Sequence, residues 1–352
     1  MRAIRCHELI GPPGLRVDEL PEPEPGPGEV SIDVRAAAVN FPDVLLSYGK
    51  YQFRPKPPFV PGGEAAGVVT AVGADVTRVA VGDRVAVTVI HGAFAERIVV
   101  PKAAVIEVPD AVGFEVAAAT LLTYATTWHA LIDRANLQAG ETLLVLGAAG
   151  GVGIAAVEIG KLLGARVIAA ASSDAKLAFC RAHGADETIQ YVREDLKESA
   201  KRLTGGDGVN VVYDPVGGPF TEAALRSIAW AGRYLVVGFA NGEIPKIPLN
   251  LVLLKGCQIV GVFWGAFVAR EPERHRANAD AIFAAVAAGR LRPHVDAILP
   301  FARAGEALAR MERREVMGSS CSCPDGIWAF IRAARAPPVG SGGALPASGC
   351  RR

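Results

Sequence analysis

Three glycines, spaced three residues apart, separate an apolar run from a second stretch with helical periodicity. They are Gly147, Gly150 and Gly153, and they follow the strand-like segment 142–146. Glycine permits a tight turn and lets the backbone approach a pyrophosphate, whose charge is then received by the amides at a helix N-terminus. A second strand at 165–170 stands at the expected distance along the chain. The stretch therefore predicts a dinucleotide-binding unit.

The residues that follow this second strand indicate which dinucleotide is bound. A carboxylate here would bind the ribose hydroxyls of NAD and repel a 2′-phosphate. This chain has Ser172, Ser173 and Lys176, whose donors suit a phosphate. Asp174 is the counter-argument, but Ser173 and Asp174 are also a plausible N-cap pair for a helix over 175–183, which would occupy that carboxylate. The pattern favours NADP over NAD.

The elements that position these residues alternate between strand and helix from residue 142 onward, which predicts an α/β domain with a doubly wound parallel sheet. The further strands are predicted at 209–214, 232–239 and 257–263. The first 120 residues are instead rich in short alternating strands. These are predicted at 28–36, 65–73, 82–87 and 95–100.

After Trp264 the pattern changes once more. It predicts a helix over 273–288, a short strand at 295–299 and a helix over 304–314. We interpret this as a return of the chain to the first domain, so that the parallel sheet is an insertion in a β-rich domain.

Composition excludes several classes of protein. The chain has 352 residues, 51% of them hydrophobic, and a net charge of +1. It has no basic run longer than a pair, the last being the two terminal arginines, so the positive surface needed to bind nucleic acid is not expected. The six cysteines form no CxxC pair, which argues against a zinc ribbon or a disulfide framework.

The beginning of the chain lacks the apolar core of a secretory signal, and the segment 116–132 is too polar to span a bilayer. We therefore expect a cytoplasmic protein without membrane insertion.

Six short motifs over residues 1 to about 318 carry a family resemblance. They are VNFPD at 39–43, GKY at 49–51, PGGEAAGVV at 61–69, VGDRV at 81–85, the glycine stretch 147–153 and DPVGG at 214–218. Together they resemble the medium-chain dehydrogenase/reductase superfamily, in its zinc-free quinone oxidoreductase branch, which includes zeta-crystallin.

The resemblance implies a Rossmann sheet inserted in a GroES-like catalytic domain. The implied division is residues 1–122 for the first part of the catalytic domain, 123–266 for the NADP-binding domain and 267–335 for the returning part. Residues 336–352 are rich in Pro, Gly, Ala and Ser, a composition that cannot bury a core, so this tail is expected to be disordered.

No metal site is expected. Zinc-binding relatives place a cysteine where Asn40 stands, a histidine where Gly63 stands, and a cysteine-rich lobe after the strand ending near residue 100. None of those ligands is present, and Glu64 alone cannot hold zinc.

The activity implied by the resemblance is an NADPH-dependent two-electron reduction of a quinone or another α,β-unsaturated carbonyl. The oxygen that gains charge needs a hydrogen-bond donor, and without zinc the candidates are Tyr51 and Asn40. Related enoyl reductases use a tyrosine in the Tyr51 segment as proton donor, although lining the cofactor pocket is the alternative role. Asn40 is expected to position nicotinamide or substrate.

The remaining cofactor contacts are carried over residue by residue. Thr123 would lie near the domain junction, Gly150, Gly151 and Val152 at the pyrophosphate, Ser172 and Lys176 at the 2′-phosphate, Tyr191 beside adenine, and Phe239, Ala240, Phe263 and Trp264 at the nicotinamide end. For the aromatic residues, core packing is the competing interpretation.

Two other functions stay open at this point. A reductase of enoyl thioesters would use basic groups at the substrate entrance, and Arg54 and Lys56 stand near Tyr51. A non-catalytic NADPH-binding or structural protein is the other alternative, against which the presence of Asn40 and Tyr51 argues. We also expect a homodimer through an edge strand at 257–263, because an exposed apolar edge must be paired or covered.

One segment departs from the family pattern. Family members close the catalytic domain with an apolar strand after the glycine at position 318, whereas this chain continues Ser-Ser-Cys-Ser-Cys-Pro. The hypothesis is that the sequence beyond this point is divergent or comes from a shifted reading frame.

Overall fold

The computed structural model describes residues 1–323, which form two large sheets and a separate two-stranded antiparallel sheet, with helices packed around them. The strands are β1 (Arg2–Cys6), β2 (Leu15–Glu19), β3 (Glu29–Val39), β4 (Glu64–Val72), β5 (Arg84–Thr88), β6 (Arg97–Pro101), β7 (Val105–Glu107), β8 (Thr142–Leu146), β9 (Arg166–Ala171), β10 (Glu187–Gln190), β11 (Val209–Asp214), β12 (Ile228–Val236), β13 (Gln258–Gly261), β14 (Val295–Pro300) and β15 (Ser319–Cys323).

The same residues also form α-helices. They are α1 (Phe41–Ser47), α2 (Phe114–Ala118), α3 (Thr126–Trp128), α4 (Gly151–Leu162), α5 (Asp174–Ala182), α6 (Leu196–Leu203), α7 (Phe220–Arg226), α8 (Asn250–Lys255), α9 (Trp264–Arg270), α10 (Pro272–Ala287) and α11 (Ala304–Glu312), with π-helical turns at Leu121–Ala125 and His129–Arg134. No helix within residues 1–323 has the length and apolar character needed to cross a bilayer.

The six-stranded sheet has the order β10-β9-β8-β11-β12-β13, and all its pairings are parallel. This confirms the predicted doubly wound sheet. The central strands β8, β9 and β11 are buried on both faces, which is why they appear in the sequence as nearly continuous apolar runs.

Two details of this sheet differ from the prediction. The short strand β10 was missed because Glu187, Thr188 and Gln190 give it little apolar character. The strand predicted at 232–239 begins earlier, at residue 228, and includes an irregularity in its pairing with β11, where Ala231 has a φ of 57°.

The second sheet contains strands from both ends of the described chain. Its order is β14-β15-β3-β4-β5-β7, with β6 paired to β3. Strands β14 and β15 therefore join those of the first 110 residues after the parallel sheet is complete. This agrees with the expected insertion of the parallel sheet in a β-rich domain; the numerical domain boundaries given above stay predictions.

Strand β15 forms although its sequence is Ser-Ser-Cys-Ser-Cys. It pairs with β14 on one side and β3 on the other, and the Ser320 and Ser322 side chains are buried. Within residues 1–323, neither hydroxyl has a hydrogen-bond partner. Each unpartnered buried hydroxyl costs about 1–3 kcal/mol. The tail predicted to be disordered, 336–352, lies outside the described residues.

The turn between β8 and α4 depends on the absence of side chains. Gly147 has a φ of 58°, which favours glycine. A Cβ at Gly153 would lie 2.3 Å from the carbonyl oxygen of Gly147 and 2.8 Å from the Ala148 Cα. Because both contacts are with backbone, neither can be relieved by rotating a side chain.

We expect Gly153→Ala to lower the free energy of unfolding by about 3 kcal/mol, because its methyl group must displace the turn. Denaturant unfolding followed by circular dichroism measures this. Gly265→Ala is the matched control, since a Cβ there makes only an ordinary contact at 3.8 Å. Equal stabilities for the two variants would contradict the close approach of helix and turn.

Candidate active site

The start of helix α4 forms a cradle for an anion. Gly150 is its N-cap residue, and the first N–H groups of a helix have no partners within it. A Cβ at Gly151 would lie 2.9 Å from the Thr123 side chain, so these two residues are in close contact. Val152 is partly buried, and its carbonyl oxygen accepts a hydrogen bond from the Thr127 hydroxyl at 3.2 Å.

The opposite side of this cradle is formed by the returning segment. The Gly318 N–H donates to the Ala149 carbonyl oxygen at 2.9 Å, and the Ser319 hydroxyl lies close to Gly151. The glycine turn is therefore held between the π-helical turn that includes Thr123 and the beginning of β15.

A second polar cluster lies where β9 and β10 end. Ser172 follows β9, and its hydroxyl faces the phenol oxygen of Tyr191, which follows β10. The Tyr191 ring packs on Phe220 with the ring centroids 4.4 Å apart. Lys176 Nζ donates to the Arg314 carbonyl oxygen at 2.9 Å. The structure thus brings together the residues predicted for the adenine and 2′-phosphate end.

Arg314 is a member of this cluster that the sequence interpretation missed. Burial and the charge of Arg314 lower the pKa of Lys176. Burial raises the pKa of the Tyr191 phenol, and the charge of Arg314 offsets part of that rise. Arg314 has a φ of 59°, which places it in a tight turn after α11. The Arg314 guanidinium donates to the Ala240 carbonyl oxygen at 3.5 Å, so two cations lie near each other here, and such a pair suits an anion. The arginine pair after helix α11 was the available signal in the sequence.

The Asp174 carboxylate does not cap helix α5, contrary to the prediction. The N-cap of α5 is Ser173, whose hydroxyl accepts from the Lys176 N–H at 3.4 Å, and Asp174 is the first helical residue. The Asp174 carboxylate instead accepts from Arg193 at 3.0 Å. The capping explanation for this carboxylate was therefore wrong, although a cation does pair with it.

Two buried carboxyl groups flank the loop that includes Asn40, since Asp43 lies in α1 and Glu64 begins β4. Asn40 N–H donates to Asp43 Oδ2 at 2.8 Å, and Asn40 Nδ2 donates to Glu64 Oε2 at 3.1 Å. The Leu122 N–H donates to Glu64 Oε1 at 2.8 Å, which ties this loop to the domain junction. Burial raises the pKa of Asp43 to about 7 and that of Glu64 to about 8.

Tyr51 lies beside this group. Its ring is partly buried against the cluster of Cys6, Leu46 and Phe59. Burial raises the pKa of its phenol, and the charge of Asp43 raises it further. Tyr51 therefore holds its proton at neutral pH and can donate a hydrogen bond.

The aromatic residues predicted at the nicotinamide end divide into two groups. Phe239 and Phe263 are partly exposed, and Ala240 lies in the loop after β12, where its N–H donates to Pro215. Trp264 instead packs against His275 with ring centroids 5.4 Å apart and joins the core cluster. For the Trp264 ring, the contacts favour the core-packing alternative.

The sheet topology explains why most of these residues converge. The segments after β8, β9, β12 and β13 all leave the carboxyl ends of parallel strands, and such ends lie along one edge of a sheet. Hydrogen bonds from Leu122 and Gly318 then connect this edge to the second sheet. In residues 1–323, no group of three His, Cys, Asp or Glu side chains could hold a metal ion.

Comparison with known proteins assigns this arrangement to a class. Residues 26–110 match the alcohol dehydrogenase GroES-like domain, and residues 151–283 match the zinc-binding dehydrogenase domain. The chain is 39% identical over 320 residues to a quinone oxidoreductase-like protein 2 homolog of Nematostella vectensis, covering 90% of this chain and 87% of the relative. It therefore belongs to the medium-chain dehydrogenase/reductase superfamily.

Further relatives narrow the group within this superfamily. A quinone oxidoreductase of Pseudomonas aeruginosa is 36% identical over 315 residues, 89% of this chain and 97% of the relative. The crystal structure of Escherichia coli quinone oxidoreductase complexed with NADPH superimposes with a TM-score of 0.86 and 29% identity, covering 92% of this chain and all of that one. The chain is a quinone oxidoreductase-like member of the superfamily.

The buried Glu64 predicts how stability depends on pH. Its pKa is 4.5 when exposed and about 8 in the fold, so between these values the folded state holds a proton that the unfolded state releases. The free energy of unfolding should therefore fall as pH rises through this window. In Glu64→Gln the fall should be less steep, as measured by denaturant unfolding at several pH values. The exposed Glu24→Gln is the control, and an unchanged slope in Glu64→Gln would contradict the assignment.

Proposed function

We propose that the protein is an NADPH-dependent oxidoreductase that transfers hydride, without zinc, to a quinone or another α,β-unsaturated carbonyl. The observation that carries this proposal is the paired anion sites along one sheet edge. The glycine cradle at the start of α4 suits a pyrophosphate, and the cluster of Ser172, Lys176, Tyr191 and Arg314 suits a further phosphate. The Escherichia coli relative, solved with NADPH, supports the choice of cofactor.

The chain's own residues supply binding and orientation. Gly150, Gly151 and Val152 would hold the pyrophosphate, and Thr123 would brace the cradle from the domain junction. When bound, NADPH supplies the hydride. Asn40 and Tyr51 supply the donors for the oxygen that gains charge, because Asn40 has a second amide hydrogen and Tyr51 keeps its phenol proton.

The second candidate is a reductase of enoyl thioesters. Arg54 and Lys56, close in sequence to Tyr51, are both exposed, and such cations suit the phosphates of a thioester carrier. A panel of quinones, simple enones and enoyl thioesters, each tested with NADPH and NADH and followed at the nicotinamide absorbance, distinguishes the two. Selective thioester reduction would favour the second candidate, and no turnover together with tight NADPH binding would favour a non-catalytic role.

Cofactor preference should depend on the second anion site. Replacing both Ser172 and Lys176 with Ala removes donors to the 2′-phosphate, so NADPH binding should weaken by about 1.5–3 kcal/mol for the charged hydrogen bond, while NADH binding changes little. Fluorescence titration with both cofactors measures the difference. Equal losses for NADPH and NADH would contradict the assignment of this site.

Metal should not be required for turnover. Exhaustive dialysis against a strong chelator is expected to leave kcat and KM unchanged, because Asn40 and Gly63 occupy positions at which zinc relatives place ligands. Metal analysis before and after dialysis is the control. A loss of activity that zinc restores would overturn the zinc-free assignment.

We also propose a dimer through β13, which lies at the edge of the parallel sheet as predicted. Ile259 on this strand is 37% exposed, and Leu253 and Leu254 on the neighbouring α8 are more exposed still. An exposed apolar edge is a ready surface for pairing with a second sheet about a two-fold axis.

Ile259→Lys should convert this dimer to monomers or cause aggregation, because a cation would be buried in the interface. Sedimentation at micromolar concentration measures the change. Val192→Lys, which alters another exposed apolar residue away from this edge, is the control and should remain dimeric. A wild-type protein that sediments as a monomer would refute the dimer.

A further inference from the structure

Strand β15 is buried inside the second sheet, although serine and cysteine are its only residues. It lies between β14 and β3, and its three serines and Cys321 are at most 5% exposed. Strands buried on both faces are ordinarily apolar runs. Because successive side chains of a strand point to opposite faces, Ser320 and Ser322 share one face of the sheet, and Cys321 and Cys323 share the other.

The face with the two cysteines suits its surroundings. Cys321 belongs to an apolar cluster with Ala38 and Phe283, and Cys323 packs against the same cluster. The Cys321 thiol also donates to the Glu115 carbonyl oxygen at 3.3 Å. A buried free cysteine behaves as a small hydrophobic residue, so these two side chains are compatible with the core.

The face with the two serines presents hydroxyls to another apolar cluster. Across the antiparallel ladder with β3, Ser320 is paired with Val39 and Ser322 with Ala37. Directly paired residues lie on the same face of a sheet. Val39 and Ala37 belong to the apolar cluster that also includes Leu299 of β14, the partner of Ser322 on the other side. Both serines therefore point into an apolar part of the core.

Neither of these hydroxyls has a hydrogen-bond partner within residues 1–323. Other buried serines of the chain do have one, because the Ser47 hydroxyl donates to the Val44 carbonyl oxygen at 2.7 Å and the Ser227 hydroxyl donates to the Ala224 carbonyl oxygen at 2.8 Å. A buried hydroxyl without a partner loses its bonds to water and gains none. The backbone of β15 fits the fold, whereas the side chains on this face do not.

The residue before the strand, by contrast, suits its position closely. Gly318 has a φ of 72°, and a Cβ there would lie 2.7 Å from the His294 carbonyl oxygen. Its N–H donates to the Ala149 carbonyl oxygen at 2.9 Å. The positive φ and the close contact both favour glycine. The sequence therefore matches the fold up to residue 318 and ceases to match it directly afterwards.

The genetic code relates the residues of β15 to an apolar strand. Every codon with T as its middle base encodes Phe, Leu, Ile, Met or Val. All cysteine codons begin with TG, and most serine codons begin with TC. In a frame that starts one base earlier, the first T of each of these codons becomes a middle base. If both serines have TC codons, this frame encodes apolar residues at 320, 321, 322 and 323.

The same displaced frame ends soon after the strand. The last base of the Cys323 codon is T or C, and with the CC that begins the Pro324 codon it encodes Ser or Pro. The Asp325 codon begins with GA, so a Pro324 codon that ends in T completes the stop codon TGA. The displaced frame thus encodes an apolar strand, one further residue and the end of a chain.

We infer that the codons from 319 onward are read in a frame displaced by one base from the frame of codons 1–318. The original frame supplies apolar residues where the buried strand requires them, and it removes both unpartnered hydroxyls. The residues that follow Gly318 in this chain are then a consequence of the displacement and not of selection for this fold.

Sequencing the coding DNA across codons 316–326 tests the frame directly. We expect TC codons at Ser320 and Ser322 and the codon CCT at Pro324, so that the displaced frame contains apolar codons followed by a stop. An AG codon at either serine, or a Pro324 codon that ends in another base, would overturn the inference.

Thermal unfolding of the full-length chain tests the structural basis of the inference. Replacing Ser320 and Ser322 together with Ala removes both hydroxyls without adding volume, and should raise Tm by about 5 °C. Replacing residues 320–323 with the apolar residues of the displaced frame should raise Tm further, because more apolar area is buried. Thr77→Val, which removes an exposed hydroxyl, is the control and should leave Tm unchanged.

The two altered strands give the decisive comparison. A Tm for the strand of the displaced frame that is equal to or below that of the unaltered chain would overturn the inference. A double alanine variant with an unchanged Tm would also count against it, because the serine hydroxyls would then cost the fold nothing.

Discussion

The close approach of helix α4 to the turn before it is the constraint on which the site depends. Because Gly153 has no side chain, the helix begins directly against the Gly147 carbonyl oxygen, and its N-terminus is aimed across the end of β8. Thr123 packs against Gly151 in the same first turn of this helix, and the Gly318 N–H donates to the Ala149 carbonyl oxygen. Both parts of the fold are thus positioned relative to the same few backbone atoms.

The sequence predicted the fold where the pattern reflects burial on both faces of a sheet. β8, β9 and β11 are such strands, and the glycine spacing located the turn between β8 and α4. Prediction failed where the type of side chain does not indicate whether a segment is a buried strand. β10 is short and polar, and β12 is shifted because its irregularity is a property of the backbone.

The candidate site was predicted to a similar extent, and for similar reasons. Lys176 and Ser172 stand next to a strand end in the sequence, so their position could be inferred, whereas Arg314 reaches the same cluster from more than a hundred residues away. The buried state of Asp43 could not be predicted either, because a carboxylate after Pro42 is an ordinary feature of an exposed first helical turn. The position of Arg314 and the burial of Asp43 both depend on tertiary contacts, which the local sequence does not show.

The position of Arg314 against Lys176 has a mechanical consequence. The two cations belong to segments that the parallel sheet separates along the chain, and without an anion between them they repel each other in a partly buried place. The segments are nevertheless joined, because the Lys176 ammonium donates to the Arg314 carbonyl oxygen at 2.9 Å. The same side chain whose charge suits a phosphate thus also fastens the segment after α11 to helix α5, far from it along the chain.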